Sequence, residues 1–184
     1  MIIIKKLMLY LIVVILFIPS YGSAKIISNV NGSITFTTSN KWYLTSFGED
    51  STTSELMSIA YDKDTGIKIT QSKFFTKYKN LSSISDTEKS ILRDYMMSYY
   101  LDLFKSKGYV CINSNAEYSK NSITLLFDIL KYGRQGRIVV GSYVKDYIIY
   151  SVTAFCVDET LSETAKVLDT LKVNGIDFDD WITQ

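Results

Sequence analysis

The chain predicts an α+β fold, an antiparallel β-sheet packed between a long helix and a C-terminal helix in an α/β/α sandwich. Three observations predict it. Residues 122–157 read as three consecutive strands joined by two tight connections. Along the last of them Ile148, Tyr150, Val152, Ala154 and Cys156 alternate with Tyr147, Ile149, Ser151, Thr153 and Phe155, the period of two that sends successive side chains to opposite faces. Both sets are largely apolar, so each face needs a cover, and helices are the natural one. Capping-box pairs, Ser85 with Glu88 and Thr160 with Glu163, each precede apolar residues at helical spacing and supply the two helices.

Composition bounds the rest. The 184 residues are 47% hydrophobic and 21% charged with one proline, which describes a folded domain rather than a disordered chain. Net charge is +1 and falls to −1 without Lys5 and Lys6, so no global field draws the protein to nucleic acid. There is no histidine, which removes the commonest general base and the commonest transition-metal ligand together. No cofactor and no metal are expected.

Lys5 and Lys6 precede an apolar run over residues 7–18, then Pro19, Ser20 and the small residues Gly22, Ser23 and Ala24. This is the pattern of a secretory signal peptide cut between Ala24 and Lys25. A membrane anchor needs about 20 apolar residues, and two lysines interrupt even the first 18. The expected organisation is a signal peptide over residues 1–24, one domain over 25–174 and a C-terminal tail over 175–184. The product is expected in the periplasm or secreted, with no membrane span after cleavage. No cysteine follows the apolar run, which excludes an acylated N-terminal cysteine.

Taken in order, strands over 25–30 and 33–38 flank Asn31-Gly32, the signal for a type I′ hairpin turn. A short run over 42–47 starts at Trp42, and strands over 56–61 and 67–74 form a second hairpin around Asp62-Lys63-Asp64-Thr65-Gly66. A loop over 76–85 leads to the long helix. Its expected inner face is Ile91, Leu92, Tyr95, Met96, Tyr99 and Leu103; Arg93, Asp94, Ser98, Asp102 and Lys105 lie opposite, and Gly108 stops it. Strands over 109–118, 122–131, 137–144 and 147–157 then follow as a meander. Asp158 or Thr160 caps the last helix, with Leu161, Ala165, Leu168 and Leu171 inward, and Asn174-Gly175 ends it. Phe178 and Trp181 are the tail residues able to dock on the body.

Few constellations carry chemistry. Asp62, Asp64 and Gly66 suggest a calcium loop, but Ile67 and Lys73 stand where glycine and a bidentate glutamate belong, so a hairpin turn is the better reading. Ser142 and Lys145 match S-x-x-K, yet on a strand such a pair points to opposite faces. Asp177, Asp179 and Asp180 read as a solvated end. Lys68, Lys73, Lys77 and Lys79 interleave with Phe74, Phe75 and Tyr78; in a nearly neutral chain this is a solvated loop rather than a nucleic-acid platform. In the meander Cys111 and Cys156 lie three strand spacings apart, roughly 14 Å, beyond the reach of about 7 Å that a disulfide needs. Two unpaired, mostly buried thiols are expected.

Candidate partner-binding residues fall in two groups. Lys131, Arg134 and Arg137 surround Gly133 and Gly136 as a basic rim on a hairpin tip, and Tyr95, Tyr99 and Tyr100 cluster on the long helix of a chain with 14 tyrosines. Tyrosine offers a large rigid surface with a polar tip, which favours interfaces.

Ile34-Thr35-Phe36 leading to Trp42, Lys107-Gly108-Tyr109 after the long helix, the Tyr147-Ile148-Ile149-Tyr150-Ser151-Val152-Thr153 strand, and Leu168-Asp169-Thr170-Leu171-Lys172-Val173 at the end appear in an order that resembles the PsbP-like and DcrB-like α/β/α sandwich families. Where those families usually carry a proline before the tryptophan, this chain has Ser39-Asn40-Lys41. The resemblance implies an extracytoplasmic binding or accessory module, among whose relatives are photosystem-associated subunits, secretion chaperones and periplasmic immunity proteins. It carries no catalytic residues with it. The resulting expectation is an exported, non-enzymatic protein with a protein partner, in its narrower form an immunity or inhibitor protein that blocks a secreted toxin. The alternatives are an envelope-acting enzyme using carboxylates and a structural accessory subunit. A deep pocket with two carboxylates at catalytic separation would mark the enzyme.

Overall fold

The computed structural model describes residues 24–184; apart from Ala24, the expected signal peptide lies outside the described residues. In chain order the strands are β1 (Lys25–Ser28), β2 (Ile34–Thr38), β3 (Tyr43–Thr45), β4 (Thr53–Asp62), β5 (Thr65–Ser72), then helix α1 (Asp86–Ser106), β6 (Val110–Tyr118), β7 (Ser122–Lys131), β8 (Arg134–Lys145) and β9 (Ile148–Val157). The chain closes with α2 (Leu161–Leu168), β10 (Lys172–Val173), β11 (Ile176–Asp177) and α3 (Phe178–Thr183).

The α+β reading holds, with a seven-stranded antiparallel sheet in the order β3-β4-β5-β9-β8-β7-β6. The expected meander forms its right half, every neighbour in sequence also a neighbour in space. β8 starts three residues before the expected boundary, so Lys131 pairs directly with Arg134 and the connection shrinks to Tyr132-Gly133. Both are in positive φ, 51° and 78°, as are Asp146 and Tyr147 in the next turn, 49° and 68°. Two-residue hairpin loops take this backbone because it matches the right-handed twist of the strands.

The two Asn-Gly pairs exchange roles relative to expectation. At Asn31-Gly32 only the glycine is in positive φ, and residues 29–33 form a wider loop. The Asn29 side chain organises that loop, accepting from the Ile34 amide at 2.9 Å and donating to Ser33 Oγ at 3.2 Å. At Asn174-Gly175 both residues have positive φ, 53° and 78°, and the pair turns the β10–β11 hairpin instead of stopping a helix.

Each sheet face is covered, but not symmetrically. α1 closes one face over a core that includes Leu81, Met96, Phe104, Leu125, Phe127 and Val140. On the other face the cover is a second small sheet, β1-β2-β10-β11, together with α2 and α3, over Phe36, Trp42, Ile59, Ile67, Val152 and Leu171. The C-terminal helix expected to do this alone has only eight residues, too short to span seven strands. The N-terminal hairpin therefore supplies much of the layer.

The capping box at the start of α1 is formed: the Glu88 amide donates to Ser85 Oγ at 3.3 Å and the Ser85 amide to Glu88 Oε2 at 3.2 Å. Gly108, at φ 79°, closes the other end, with its amide on Lys105 O and that of Tyr109 on Phe104 O, both 3.0 Å. The buried face is rotated from expectation. Met96 and Phe104 are buried with Leu92, Met97 and Tyr100 packed beside them, while Ile91 and Tyr95 are 65% and 69% exposed. Phe104 decides the phase, meeting Phe127 edge-on at 5.1 Å and Tyr100 and Tyr109 at 5.7 and 6.2 Å. A fully buried large apolar side chain contributes about 1.5–3 kcal/mol relative to exposure, so this aromatic knot outweighs the loss of Ile91.

The second capping box does not form. Thr160 Oγ1 donates to Val157 O at 3.0 Å and lies 2.8 Å from Thr65 Oγ1, while Glu163 accepts from Ser39 Oγ at 3.0 Å. Thr164, Val167 and Leu171 face inward, with Leu161 and Ala165 exposed. Beyond β11, Phe178 packs edge-on against Tyr143 at 4.9 Å and Trp181 against Tyr150 at 5.1 Å. Cys111 on β6 and Cys156 on β9 are separated by β7 and β8, and both are free thiols. Cys156 is buried and Cys111 half-buried. Among the described residues no helix is long and apolar enough to cross a membrane.

Candidate functional site

α1 lies over β6 and β7, leaving the β9-β5-β4 half of the same face to the loop between β3 and β4. Helix and loop do not meet across the sheet, and a cavity of about 540 Å³ remains between them. Its floor is Thr70, Ile138, Thr153 and Phe155; Tyr99, Tyr100, Leu103 and Phe104 form the helix wall, and residues 47–50 the loop wall. Lys63, Lys107 and Lys131 stand at its edge. Phe47 from the loop meets Phe155 edge-on at 5.0 Å, so floor and loop wall are one aromatic unit.

The loop is held by its own carboxylates. Asp50 accepts from the amides of Thr52 and Thr53, both 2.7 Å, and from their hydroxyls at 2.8 and 2.7 Å. Partial burial would push the Asp50 carboxyl up, but these four hydrogen bonds outweigh it and hold it at about 2. Glu49 pairs with Lys73 at 3.3 Å, whose ammonium also donates to Asp50 O at 2.7 Å. Lys68 donates to Gly48 O and lies 3.8 Å from Glu55. Both carboxylates of the cavity are thus occupied as structural acceptors. On the helix wall, burial pushes the Tyr100 phenol up, while the hydroxyls of Ser151 and Thr153 pull it part of the way back.

The candidate residues read from the sequence divide. Tyr99, Tyr100 and Lys131 come together at this cavity. Tyr95 points to solvent outside it. Arg134 pairs with Asp64 at 2.5 Å and Glu159 at 3.7 Å, and Arg137 with Asp128 at 3.0 Å, so the basic rim on the β7–β8 hairpin is largely neutralised by its neighbours. Lys131 instead sets its ammonium 4.1 Å from the ring centre of Tyr109 and 5.6 Å from that of Tyr132. Tyr132, at the tip, is 90% exposed. Lys63, Lys107, Tyr109, Phe47 and Phe155 do not stand out in the sequence as site residues. Their one sequence signal is a run of aromatics and lysines spread over distant segments.

The remaining motifs resolve into structure. Ser142 is buried and hydrogen-bonded to Ser151 at 3.0 Å, while Lys145 donates to the carbonyl of Trp181. Asp62 accepts from the Asp64 amide at 2.8 Å, an ordinary turn contact. Lys77 pairs with Glu88 at 3.2 Å; Phe74 and Phe75 are exposed. Among the described residues no three Asp, Glu or Cys side chains gather as a metal site would require.

No sequence-family model matches the chain, and no curated protein matches it. Solved structures do. The solution structure of the cyanobacterial PsbP of Synechocystis superimposes with a TM-score of 0.50 at 11% identity, covering 84% of this chain and 95% of that one. The Saccharomyces cerevisiae Ran-binding protein Mog1p superimposes with a TM-score of 0.43 at 12% identity, covering 83% of this chain and 96% of its own. At such identities the likeness to the cyanobacterial protein speaks for the fold alone: the fold is PsbP-like.

Proposed function

We propose that this is an exported, non-enzymatic accessory protein that binds a protein partner through the β7–β8 hairpin tip. In the narrower reading the partner is a secreted toxin whose cleft the tip plugs, making the chain an immunity or inhibitor protein. The observation that carries the proposal is Tyr132, a bulky side chain held at φ 51° and 90% exposed. The left-handed conformation costs a non-glycine residue about 1–2 kcal/mol, and in the free protein no burial offsets it. A rigid two-residue turn presenting a tyrosine suits an interface anchor, since hot spots are enriched in Trp, Tyr and Arg.

The carboxylate-enzyme alternative is weakened by the state of the cavity acids. A general acid needs a raised pKa, whereas Asp50 is held at about 2 by four donors and Glu49 is taken by Lys73. Asp50, ionised far below neutrality, is no general acid. The test is to purify the mature chain with each exported protein encoded beside it and measure binding by calorimetry. One stoichiometric complex, weakened at least tenfold by Tyr132→Ala with an unchanged unfolding midpoint, is the expected result; no complex, or one indifferent to Tyr132, contradicts it. If the partner is an enzyme that the chain inhibits stoichiometrically, the immunity reading stands; if the complex forms without inhibition, only the accessory reading does.

A further inference from the structure

The cavity under α1 has a chemistry that the hairpin-tip proposal does not use. Its volume, about 540 Å³, falls in the range of roughly 300–1,000 Å³ typical of small-molecule sites. Its interior is aromatic and its edge is cationic. Lys63 and Lys107 make no ion pair among the described residues, and Lys131 rests its ammonium on aromatic rings rather than on a carboxylate. The two acids on the loop wall are already committed, Glu49 to Lys73 and Asp50 to the Thr52 and Thr53 donors. Asp50 keeps its negative charge, since its donors are neutral, so three lysines without a salt bridge face one carboxylate and the edge is net positive beside an apolar chamber.

We infer that this cavity binds a small aromatic anion, its ring body between the Tyr99–Tyr100 wall and the Phe47–Phe155 floor and its charged group on Lys63, Lys107 and Lys131. Tyr99 meets Tyr100 edge-on at 5.2 Å and Phe47 meets Phe155 at 5.0 Å, so two aromatic pairs line the cavity, a surface that suits a flat guest. Lysines suit a carboxylate, sulfonate or phosphate as point charges without demanding one geometry. Selectivity for the anion comes from the lysine edge, and selectivity for the flat body from the walls.

The experiment uses the mature chain with two probes that share a ring system, 1-anilinonaphthalene-8-sulfonate and its uncharged counterpart N-phenyl-1-naphthylamine. Calorimetry should give saturable one-to-one binding of the sulfonate, with the neutral probe weaker by about tenfold or more. The triple variant Lys63→Gln, Lys107→Gln, Lys131→Gln should bind the sulfonate at least fivefold more weakly, with an unchanged circular-dichroism spectrum. Tyr99→Ala should weaken both probes. The inference is overturned if the sulfonate does not saturate below about 1 mM, if the neutral probe binds within tenfold of it, or if the triple variant loses less than fivefold. Should the triple variant fail to fold, the two-probe comparison on the unaltered chain decides alone.

Discussion

Gly66 on β5 lies directly across from Phe155 on β9, and a Cβ on this glycine would stand 2.7 Å from the Phe155 ring and 2.8 Å from that of Phe47. The same Cβ would be 2.9 Å from the carbonyl oxygen of Ile59. The missing side chain is what lets the Phe155 and Phe47 rings close on the strand and line the cavity. Gly66→Ala must displace a backbone carbonyl as well as two rings, and overpacking of this kind costs about 1–3 kcal/mol. Urea unfolding should register that loss, and a variant as stable as the original would mean that the strand can yield there.

Acid should loosen the loop on the cavity's far wall. The Asp50 carboxyl is depressed to about 2 in the folded chain and titrates near 3.9 when unfolded. Its contribution is therefore complete above pH 4 and is lost as pH falls from about 4 to 2. The side chain is exposed, so solvent screening limits the effect to about 1 kcal/mol or less. Asp50→Asn should flatten stability against pH in that window; an identical acid limb in variant and parent would contradict the assignment.

The thiols should report the strand order. Two strands separate Cys111 from Cys156, and burial pushes both thiols up, with backbone hydrogen bonding at Asn113 and at Arg137 offsetting part of the effect. Unfolded, unreduced protein should titrate two free thiols per chain. In the native state Cys111, half-buried near the sheet edge, should alkylate faster than the buried Cys156. A mass lower by two hydrogens with no titratable thiol would require a different sheet order.

Export makes its own statement. N-terminal sequencing of protein recovered outside the cytoplasm should begin at Lys25 or within a few residues of it. Recovery only of chains that retain Met1, and only in membranes, would mean an anchor.

What could be read from the sequence follows from where a pattern had one physical meaning. The meander was legible because β7, β8 and β9 carry period-two alternation on both faces. Ser85 and Glu88 announced α1 because Glu88 holds the capping contacts through Oε2 while Tyr78 and Lys77 take Oε1, whereas the single Thr160 hydroxyl is claimed by Thr65 and Val157. The phase of α1 was not legible. Ile91, Leu92, Tyr95, Met96, Met97, Tyr99, Tyr100, Leu101, Leu103 and Phe104 wrap most of its circumference, so only the contact of Phe104 with Phe127 selects a side. The two Asn-Gly pairs are alike locally, and the Asn29 side chain decides which becomes the tight turn. The cavity draws on separated segments, so Lys63 and Lys107 gained a shared site only through the fold.

The proposed partner surface is the β7–β8 tip. A photo-crosslinking amino acid placed at position 132 in the full chain, in the cells that make it, tests this directly, with the same group at Lys166 on the exposed side of α2 as the reference. The expected result is one discrete adduct with an exported protein from position 132 and none from position 166. No adduct at 132, or the same adducts from both positions, would contradict it.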